Sequence, residues 1–308
     1  MIIRLKKTLK LFKYAGEGFV DDNAFKLSAA LSYYTVFALG PLLIIIISLF
    51  GIFFGREDVR GQIYEQMNEF VGPDVATQIQ DIIINIQSTQ NTTTGAIIGL
   101  VVLFIAATTV FTEMQDSINY IWSVKAKPKK SWLKFLVNRL LSFSLVVVMG
   151  FLMLVSLVIN ALLSLLSNKL ASILPDTDFG LLTIINNGIF FLVITGLFAV
   201  IFKILPDAII AWKDSIVGAT LTAVLFLLGK LLIAYYLGKV NFGITYGAAA
   251  SIIIIMIWVY YSAMILYFGA EFTKMYALHA GTGIRPKETA VFIIKRESKE
   301  VPESYLDT

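Results

Sequence analysis

The chain has 308 residues, of which 57% are hydrophobic and 15% are charged, whereas about 25% are charged in a typical soluble domain. One water-soluble core cannot bury so much apolar surface, so the composition excludes an ordinary soluble protein and indicates a membrane protein with several spans. The lack of cysteine excludes thiolate metal sites, disulfides and cysteine nucleophiles. The single histidine, His279, makes histidine-based metal clusters and catalytic triads hard to build.

The N-terminal segment, residues 1–26, is predicted to be cytoplasmic and amphipathic. Apolar residues alternate there with six basic residues. Anionic lipids would attract such a segment by about 1 kcal/mol for each basic residue near the surface. The alternative is that this segment only helps to orient the first span.

Six apolar runs follow, and a helix of roughly 20 residues is enough to cross the hydrocarbon core of a bilayer. The sequence therefore predicts an all-α membrane domain over residues 27–275 and a cytoplasmic tail over residues 276–308. The second run is short, and Lys230 interrupts the fifth. The six predicted transmembrane spans cover about residues 27–55, 95–112, 140–166, 179–203, 215–238 and 244–270.

Two short amphipathic helices are predicted between spans one and two, over residues 57–88. Apolar residues recur there at helical spacing, first from Val59 to Phe70 and then from Val75 to Ile86. Pro73 suits the first turn of the second helix. Both helices are expected to lie on the outer face of the bundle or in the lipid headgroup layer.

The orientation of the chain follows from its lysine and arginine residues, because cytoplasmic loops carry an excess of them. With six spans, 20 of the 25 basic residues fall on the side of the two termini, 4 fall on the opposite side, and Lys230 lies within a span. We therefore expect a multi-pass membrane protein with both termini in the cytoplasm.

Polar residues in and beside the spans are the candidate cavity or substrate residues, since polar groups in lipid cost free energy unless they face other helices or water. Pro41 removes a backbone hydrogen bond and predicts a kink in span one. Lys230 either snorkels to the outer interface or faces a cavity. Glu271 closes span six, where an ion pair with Lys274 is the simpler role. The full set is Asp22, Ser28, Ser32, Tyr33, Tyr34, Pro41, Thr108, Thr112, Glu113, Asp116, Asn119, Lys230, Tyr260, Tyr261 and Glu271.

Each of these residues also has a plainer explanation. The hydroxyls of span one are compatible with close packing of small residues between helices. The polar stripe that runs from Thr108 to Asn119 suits a vestibule open to the cytoplasm, but a helix that emerges into water would show the same pattern. Tyr260 and Tyr261 either line a cavity or pack with satisfied hydroxyls.

Catalytic motifs are absent from the sequence. It contains no phosphate-binding glycine loop, no nucleophile elbow and no zinc-protease motif. We therefore expect no catalytic residue, no metal, no cofactor and no enzymatic activity. The basic loop from Lys125 to Lys134 is explained by the orientation of the chain, so no nucleic-acid partner is expected.

Several short motifs occur in a characteristic order. They are Asp22-Asn23-Ala24 through Leu31-Ser32-Tyr33-Tyr34 to Gly40-Pro41-Leu42-Leu43, then Ser117-Ile118-Asn119-Tyr120-Ile121-Trp122, then Leu205-Pro206 with Trp212 and Gly218-Ala219, and finally Tyr246-Gly247-Ala248, Trp258-Val259-Tyr260 and Gly269-Ala270-Glu271. Together they resemble the YihY/BrkB family of bacterial inner-membrane proteins over roughly residues 15–275. The resemblance implies six helices in the cytoplasmic membrane with both ends inside, and many relatives are provisionally named transporters.

The leading hypothesis is a transporter or a lipid- or amphiphile-handling protein with a polar cavity lined by spans one, two, five and six. The polar and kinking residues concentrate in those spans. The alternative is a non-transporting envelope scaffold or membrane-integrity protein that acts through partner or lipid contacts. Membrane lipids are the expected partners, and a homo-oligomer is compatible with either function.

Overall fold

The described part of the chain is mostly helical. The computed structural model describes residues 2–54, 61, 64–65, 68, 72–87, 109–127, 180–240, 242–246 and 249–294. Its helices are α1 (Ile2–Asp21), α2 (Ala24–Phe54), α3 (Pro73–Gln87), α4 (Gly180–Ile204), α5 (Trp212–Lys239), α6 (Phe242–Tyr246) and α7 (Ala250–His279). Residues 109–121 are helical as well. The short strands are β1 (Val124–Ala126), β2 (Ala208–Ile209), β3 (Arg285–Pro286) and β4 (Ala290–Phe292), so the prediction of an all-α chain is correct only for the bulk of the fold.

Two of the described helices, α5 and α7, are long and apolar enough to cross a membrane, with mean hydropathies of 2.2 and 2.1 in their most apolar stretches. Shorter apolar stretches occupy Ala24–Leu39 of α2 and Gly188–Ile204 of α4. The bounds of α2, α4 and α5 agree closely with three predicted spans. The predicted spans 95–112 and 140–166 lie almost wholly outside the described residues, so the count of six remains a prediction.

Helix α7 differs from the predicted sixth span, 244–270, at both ends. The residues before it form the separate helix α6, and α7 continues to His279. The extension is helical because it packs against α1. The ring of Phe272 lies 5.1 Å from that of Phe12, and the ring of His279 stacks on Tyr14 at 5.4 Å.

Helices α5 and α7 pack antiparallel along a seam of small residues. The side chain of Thr273 fills the space that a Cβ at Gly218 would occupy, and Thr222 does the same at Gly269. Glycine and threonine are four residues apart on each helix, so both lie on one face. This spacing lets helix backbones approach closely in membranes, where van der Waals packing drives association.

Helix α3 lies where the second of the two amphipathic helices is predicted, and its position on the outer side stays a prediction. Gly72 precedes it with a φ of 90°, and Pro73 is its first residue. Val75, Ala76 and Ile79 are buried in the same apolar cluster as Ile233 of α5. This face therefore packs on the helix bundle. Most of the first predicted outer helix lies outside the described residues.

The strands join the end of the chain to two earlier loops. Strand β4 pairs antiparallel with β1, and β3 pairs antiparallel with β2. Residues 123–127, 205–211 and 280–294 are therefore gathered at one end of the described helices. The basic-residue count assigns all three segments to the cytoplasmic side, and their common position agrees with that expectation.

The loop between α4 and α5 is held by the predicted candidate Asn119. Its amide nitrogen donates to Asp207 Oδ2 at 2.9 Å, and its amide oxygen accepts from the Asp207 backbone N–H at 2.7 Å. Gln115 donates to the other carboxylate oxygen of Asp207 at 3.4 Å. Asn119, Gln115 and Asp207 are all buried. Asn119 thus ties the loop to the helical residues 109–121.

Replacing Asn119 with alanine is expected to lower the free energy of unfolding by about 1–3 kcal/mol, because it leaves a buried N–H and carboxylate of Asp207 without this partner. Thermal unfolding in detergent measures the effect. The control is Thr77→Ala on α3, whose hydroxyl makes a local, exposed hydrogen bond and whose loss should shift stability by less than about 0.5 kcal/mol. Equal stability of the two variants would contradict the role given to Asn119.

Candidate functional site

A buried group of charged side chains lies where the turn between α1 and α2 meets α7. Asp22 and Asn23 form that turn, and Asn23 has a φ of 53°, a conformation that asparagine tolerates better than most residues. The turn directs the buried side chain of Asp22 toward α7. It therefore brings Asp22 to Lys274 and Glu271, which are far away in sequence.

Lys274 sits between the two carboxylates. Its Nζ lies 3.1 Å from Glu271 Oε2 and 3.5 Å from Asp22 Oδ2. The side chain of Glu271 is 0% exposed and that of Lys274 is 15% exposed. Among the described residues, no group donates a hydrogen bond to Glu271 Oε1. The carboxylates of Asp22 and Glu271 therefore share the Lys274 ammonium group.

Gly18 of α1 makes room for the Glu271 carboxyl group. A Cβ at Gly18 would stand 2.8 Å from Glu271 Oε2 and 3.3 Å from Oε1. Gly18 also lines an open cleft of about 370 Å³. The Glu271 carboxyl group therefore lies directly behind the wall of this cleft, and only a glycine backbone separates the two. The cleft is lined by Tyr14, Glu17, Gly18, Asp21, Asp22, Ser123, Lys274, Met275 and His279.

The polar residues of span one are divided between two faces of α2. Ser32 donates to the backbone carbonyl of Met256 on α7 at 2.9 Å, whereas Ser28 bonds back to its own helix at Ala24. Tyr33 and Tyr34 are exposed and are not brought to the buried charged group. Helix α2 continues across Pro41. Thr108, a candidate residue of the predicted second span, lies outside the described residues.

The polar stripe of the predicted second span is also divided. Thr112 and Glu113 are half-buried, Asp116 is exposed, and Asn119 holds the loop described above. Glu113 lies close to Ser117, whose hydroxyl lies next to that of the buried Tyr267 on α7. Among the described residues, no three histidine, aspartate or glutamate side chains are close enough together to hold a metal ion.

Lys230 and the tyrosines of α7 lie away from the buried charged group. The ammonium group of Lys230 lies over the ring of Phe190 on α4, 5.2 Å from the ring centre. Tyr261 packs against Gly229 of α5, where an added Cβ would meet its ring at 2.6 Å. Tyr260 is half-buried. The structure thus brings together two of the predicted site residues, Asp22 and Glu271.

Sequence reasoning missed several polar residues at this end of the molecule. Asp214 accepts hydrogen bonds from the backbone N–H and the hydroxyl of Thr282, at 2.9 and 3.0 Å. Burial lowers the pKa of the Lys287 ammonium, the negative charge of Asp207 opposes this shift, and the positive charge of Lys203 adds to it. A signal for this group exists in the sequence, because Lys203 and Asp207 flank the Leu205-Pro206 motif.

Comparison with known proteins gives matches along most of the chain. The model of a family described as virulence factor BrkB matches residues 15–291. A "UPF0761 membrane protein" from Saccharophagus degradans is 24% identical over 90% of this chain and 63% of its own length. Proteins of the same description from Bordetella petrii and Vibrio vulnificus are 27% and 25% identical, over 85% and 88% of this chain.

The chain spans 63% of the first of these relatives and 56% of the second, but 83% of the Vibrio vulnificus protein. No solved structure matches the chain. The family match extends beyond residue 275 through β3 and into β4, which agrees with the pairing of these strands to the earlier loops. The chain therefore belongs to the virulence factor BrkB family of membrane proteins.

Proposed function

We propose that the protein is a transporter or a lipid- or amphiphile-handling protein, and that Asp22, Lys274 and Glu271 form its working polar centre. The observation that carries the proposal is the fully buried carboxyl group of Glu271, which lies on a helix apolar enough to span a membrane. Burying an ionisable group costs several kcal/mol of desolvation, and buried ionisable groups with a charged partner are common at functional sites. If these charged side chains served only to pack the helices, apolar side chains of similar size would do so at a lower cost in free energy.

The cleft supports the proposal because it gives solvent or a polar headgroup a route to the centre. Asp22 and Lys274 line the cleft directly, and Glu271 lies behind Gly18. The centre can thus exchange a proton or a cationic group of a substrate with the side that the cleft faces. The residues that line this cleft lie outside the predicted spans, so the cavity predicted between spans one, two, five and six stays a prediction.

The test uses purified protein in liposomes that contain fluorescently labelled phosphatidylglycerol, with a membrane-impermeant quencher outside. We expect the wild-type protein to move labelled lipid between leaflets and Glu271→Gln to slow this movement by about tenfold or more. The matched control is Glu17→Gln, because Glu17 is an exposed acid of the same cleft, paired with Lys13 at 3.6 Å. Equal rates for Glu271→Gln and wild type would refute the proposed centre.

The rival function, an envelope scaffold, is supported by an exposed aromatic ladder on α2. Phe25, Tyr33 and Phe37 are more than half exposed, and the rings of Tyr33 and Phe37 are 4.8 Å apart. Such a face suits contact with lipid or with another protein. Folded wild-type protein that moves no labelled lipid would favour the scaffold.

A further inference from the structure

A second surface, remote from Glu271 in the sequence, combines basic and apolar side chains at the short sheet formed by β2 and β3. We call it the β2–β3 patch, and its members are Lys203, Ile209, Trp212, Arg285 and Lys287. Ile209 and Trp212 are 54% and 51% exposed. Arg285 is exposed and stands directly opposite Ile209 in the strand register. A cation and an apolar side chain therefore share the outer face of this sheet.

The two lysines of the patch are held close to one another. Lys203 donates to the carbonyl of Ile210, and its ammonium group lies 5.7 Å from the centre of the Trp212 ring. Lys287 donates to the carbonyl of Ile204 at 3.3 Å. Each ammonium has three N–H donors, so each keeps donors for a further acceptor. Their mutual repulsion contributes to the lowered pKa of Lys287, and an anion between them would relieve it.

Two of the three carboxylates beside the patch are buried, so only one of them faces outward with the three basic side chains. Asp207 is buried and bound by Asn119, and Asp214 is buried and bound by Thr282. Glu288 is exposed beside Lys287. The charge that the patch itself presents outward is therefore positive.

The position of the patch identifies the source of the anion. Trp212 is the first residue of α5, a helix that is apolar enough to span a membrane. The exposed residues Ile216 and Val217 continue the apolar surface of the patch along that helix. A surface at the end of a spanning helix lies at the level of the lipid headgroups, where tryptophan is enriched and where basic residues meet anionic lipid on the cytoplasmic side.

We propose that the β2–β3 patch binds the phosphate-bearing headgroup of an anionic phospholipid. Lys203, Lys287 and Arg285 surround the phosphate. Ile209 and Trp212 contact the glycerol and the upper acyl chains. This site is separate from the Glu271 centre, and it is expected whether or not the protein moves lipid between leaflets.

The experiment measures the binding of the first phosphatidylglycerol molecule to the full-length protein in detergent by native mass spectrometry, with phosphatidylcholine as the zwitterionic comparison. A basic residue near anionic lipid contributes about fivefold to affinity. We expect Arg285→Gln to weaken phosphatidylglycerol binding about fivefold, and the triple variant with Lys203→Gln and Lys287→Gln roughly 100-fold. Wild-type affinity in the triple variant, or phosphatidylcholine bound as tightly as phosphatidylglycerol, would overturn the proposal.

Two further variants distinguish the effect of lost charge from the effect of misfolding. Lys203→Arg with Lys287→Arg keeps the charge, so it should bind phosphatidylglycerol as the wild type does. Lys239→Gln is the matched control, because Lys239 lies 5.6 Å over the ring of Tyr235 at the opposite end of α5 and should not change binding. Competition with inorganic phosphate distinguishes a site for a lipid headgroup from a site for the free phosphate ion. Displacement of the lipid by phosphate at equal concentration would show a site for the free ion and refute the lipid site.

Discussion

Replacing Gly218 with leucine is expected to separate α5 from α7 and to prevent correct assembly of the helix bundle. The leucine would have to occupy the space now filled by Thr273, at a seam where Thr222 and Gly269 make the reciprocal contact. Overpacking of a filled interior costs about 1–3 kcal/mol and occasionally more. We expect the upper end of this range, because the contact lies between two helix backbones that cannot separate locally without disrupting the second contact.

The measurement is thermal unfolding of the detergent-solubilised protein, together with its elution on size exclusion. The matched control is Gly196→Leu on α4, where an added Cβ meets no atom of the described residues within 4 Å, and this variant should remain monodisperse and nearly as stable as the wild type. A comparable loss of stability in both variants would show that the seam between α5 and α7 has no special importance for assembly.

Replacing Lys274 with methionine is expected to lower the free energy of unfolding by about 3–5 kcal/mol, the usual cost of removing one partner from a buried ion pair. Asp22 and Glu271 would lose the ammonium group that they share, at 3.5 and 3.1 Å. Adding Asp22→Asn and Glu271→Gln should restore much of the stability, because no unpaired buried charge then remains.

The control is Lys13→Met, which removes the lysine of the exposed pair with Glu17. An exposed ion pair contributes at most about 1 kcal/mol, so the free energy of unfolding of this variant should be close to that of the wild type. Chemical unfolding monitored by tryptophan fluorescence compares Lys274→Met, the triple variant and Lys13→Met with the wild type. If the triple variant were less stable than Lys274→Met alone, the three side chains would not act as one electrostatic unit.

The helices of the fold could largely be predicted from the sequence, since long apolar runs specify spanning helices almost independently of their neighbours. The match of α2, α4 and α5 to predicted spans and the start of α3 at Pro73 illustrate this point. The strands could not be predicted in this way. At two or three residues each they are too short for an alternating pattern, and their pairing depends on contacts between distant segments.

The candidate site, like the fold, could be predicted from the sequence only in part. Asp22 and Glu271 could each be selected, because each is an acidic residue at the end of an apolar run. Their contact through Lys274 depends on the turn at Asn23 and on the space left by Gly18, and neither feature has a recognisable sequence pattern. Asn119 was selected as a cavity residue because of its position on a polar stripe. The structure adds its hydrogen bond to Asp207, a pairing that no sequence pattern indicates.

We propose that these helices cross a membrane and that α1 and the strand-bearing segments lie together on its cytoplasmic side. The natural absence of cysteine allows single-cysteine labelling at exposed positions, with Glu17 and Glu288 for the proposed cytoplasmic end and Gln80 on α3 for the opposite end. In right-side-out spheroplasts, a membrane-impermeant maleimide should label Gln80→Cys at once and label Glu17→Cys and Glu288→Cys only after permeabilisation. Labelling of Glu17→Cys and Glu288→Cys from opposite sides, or of all three without permeabilisation, would contradict the account.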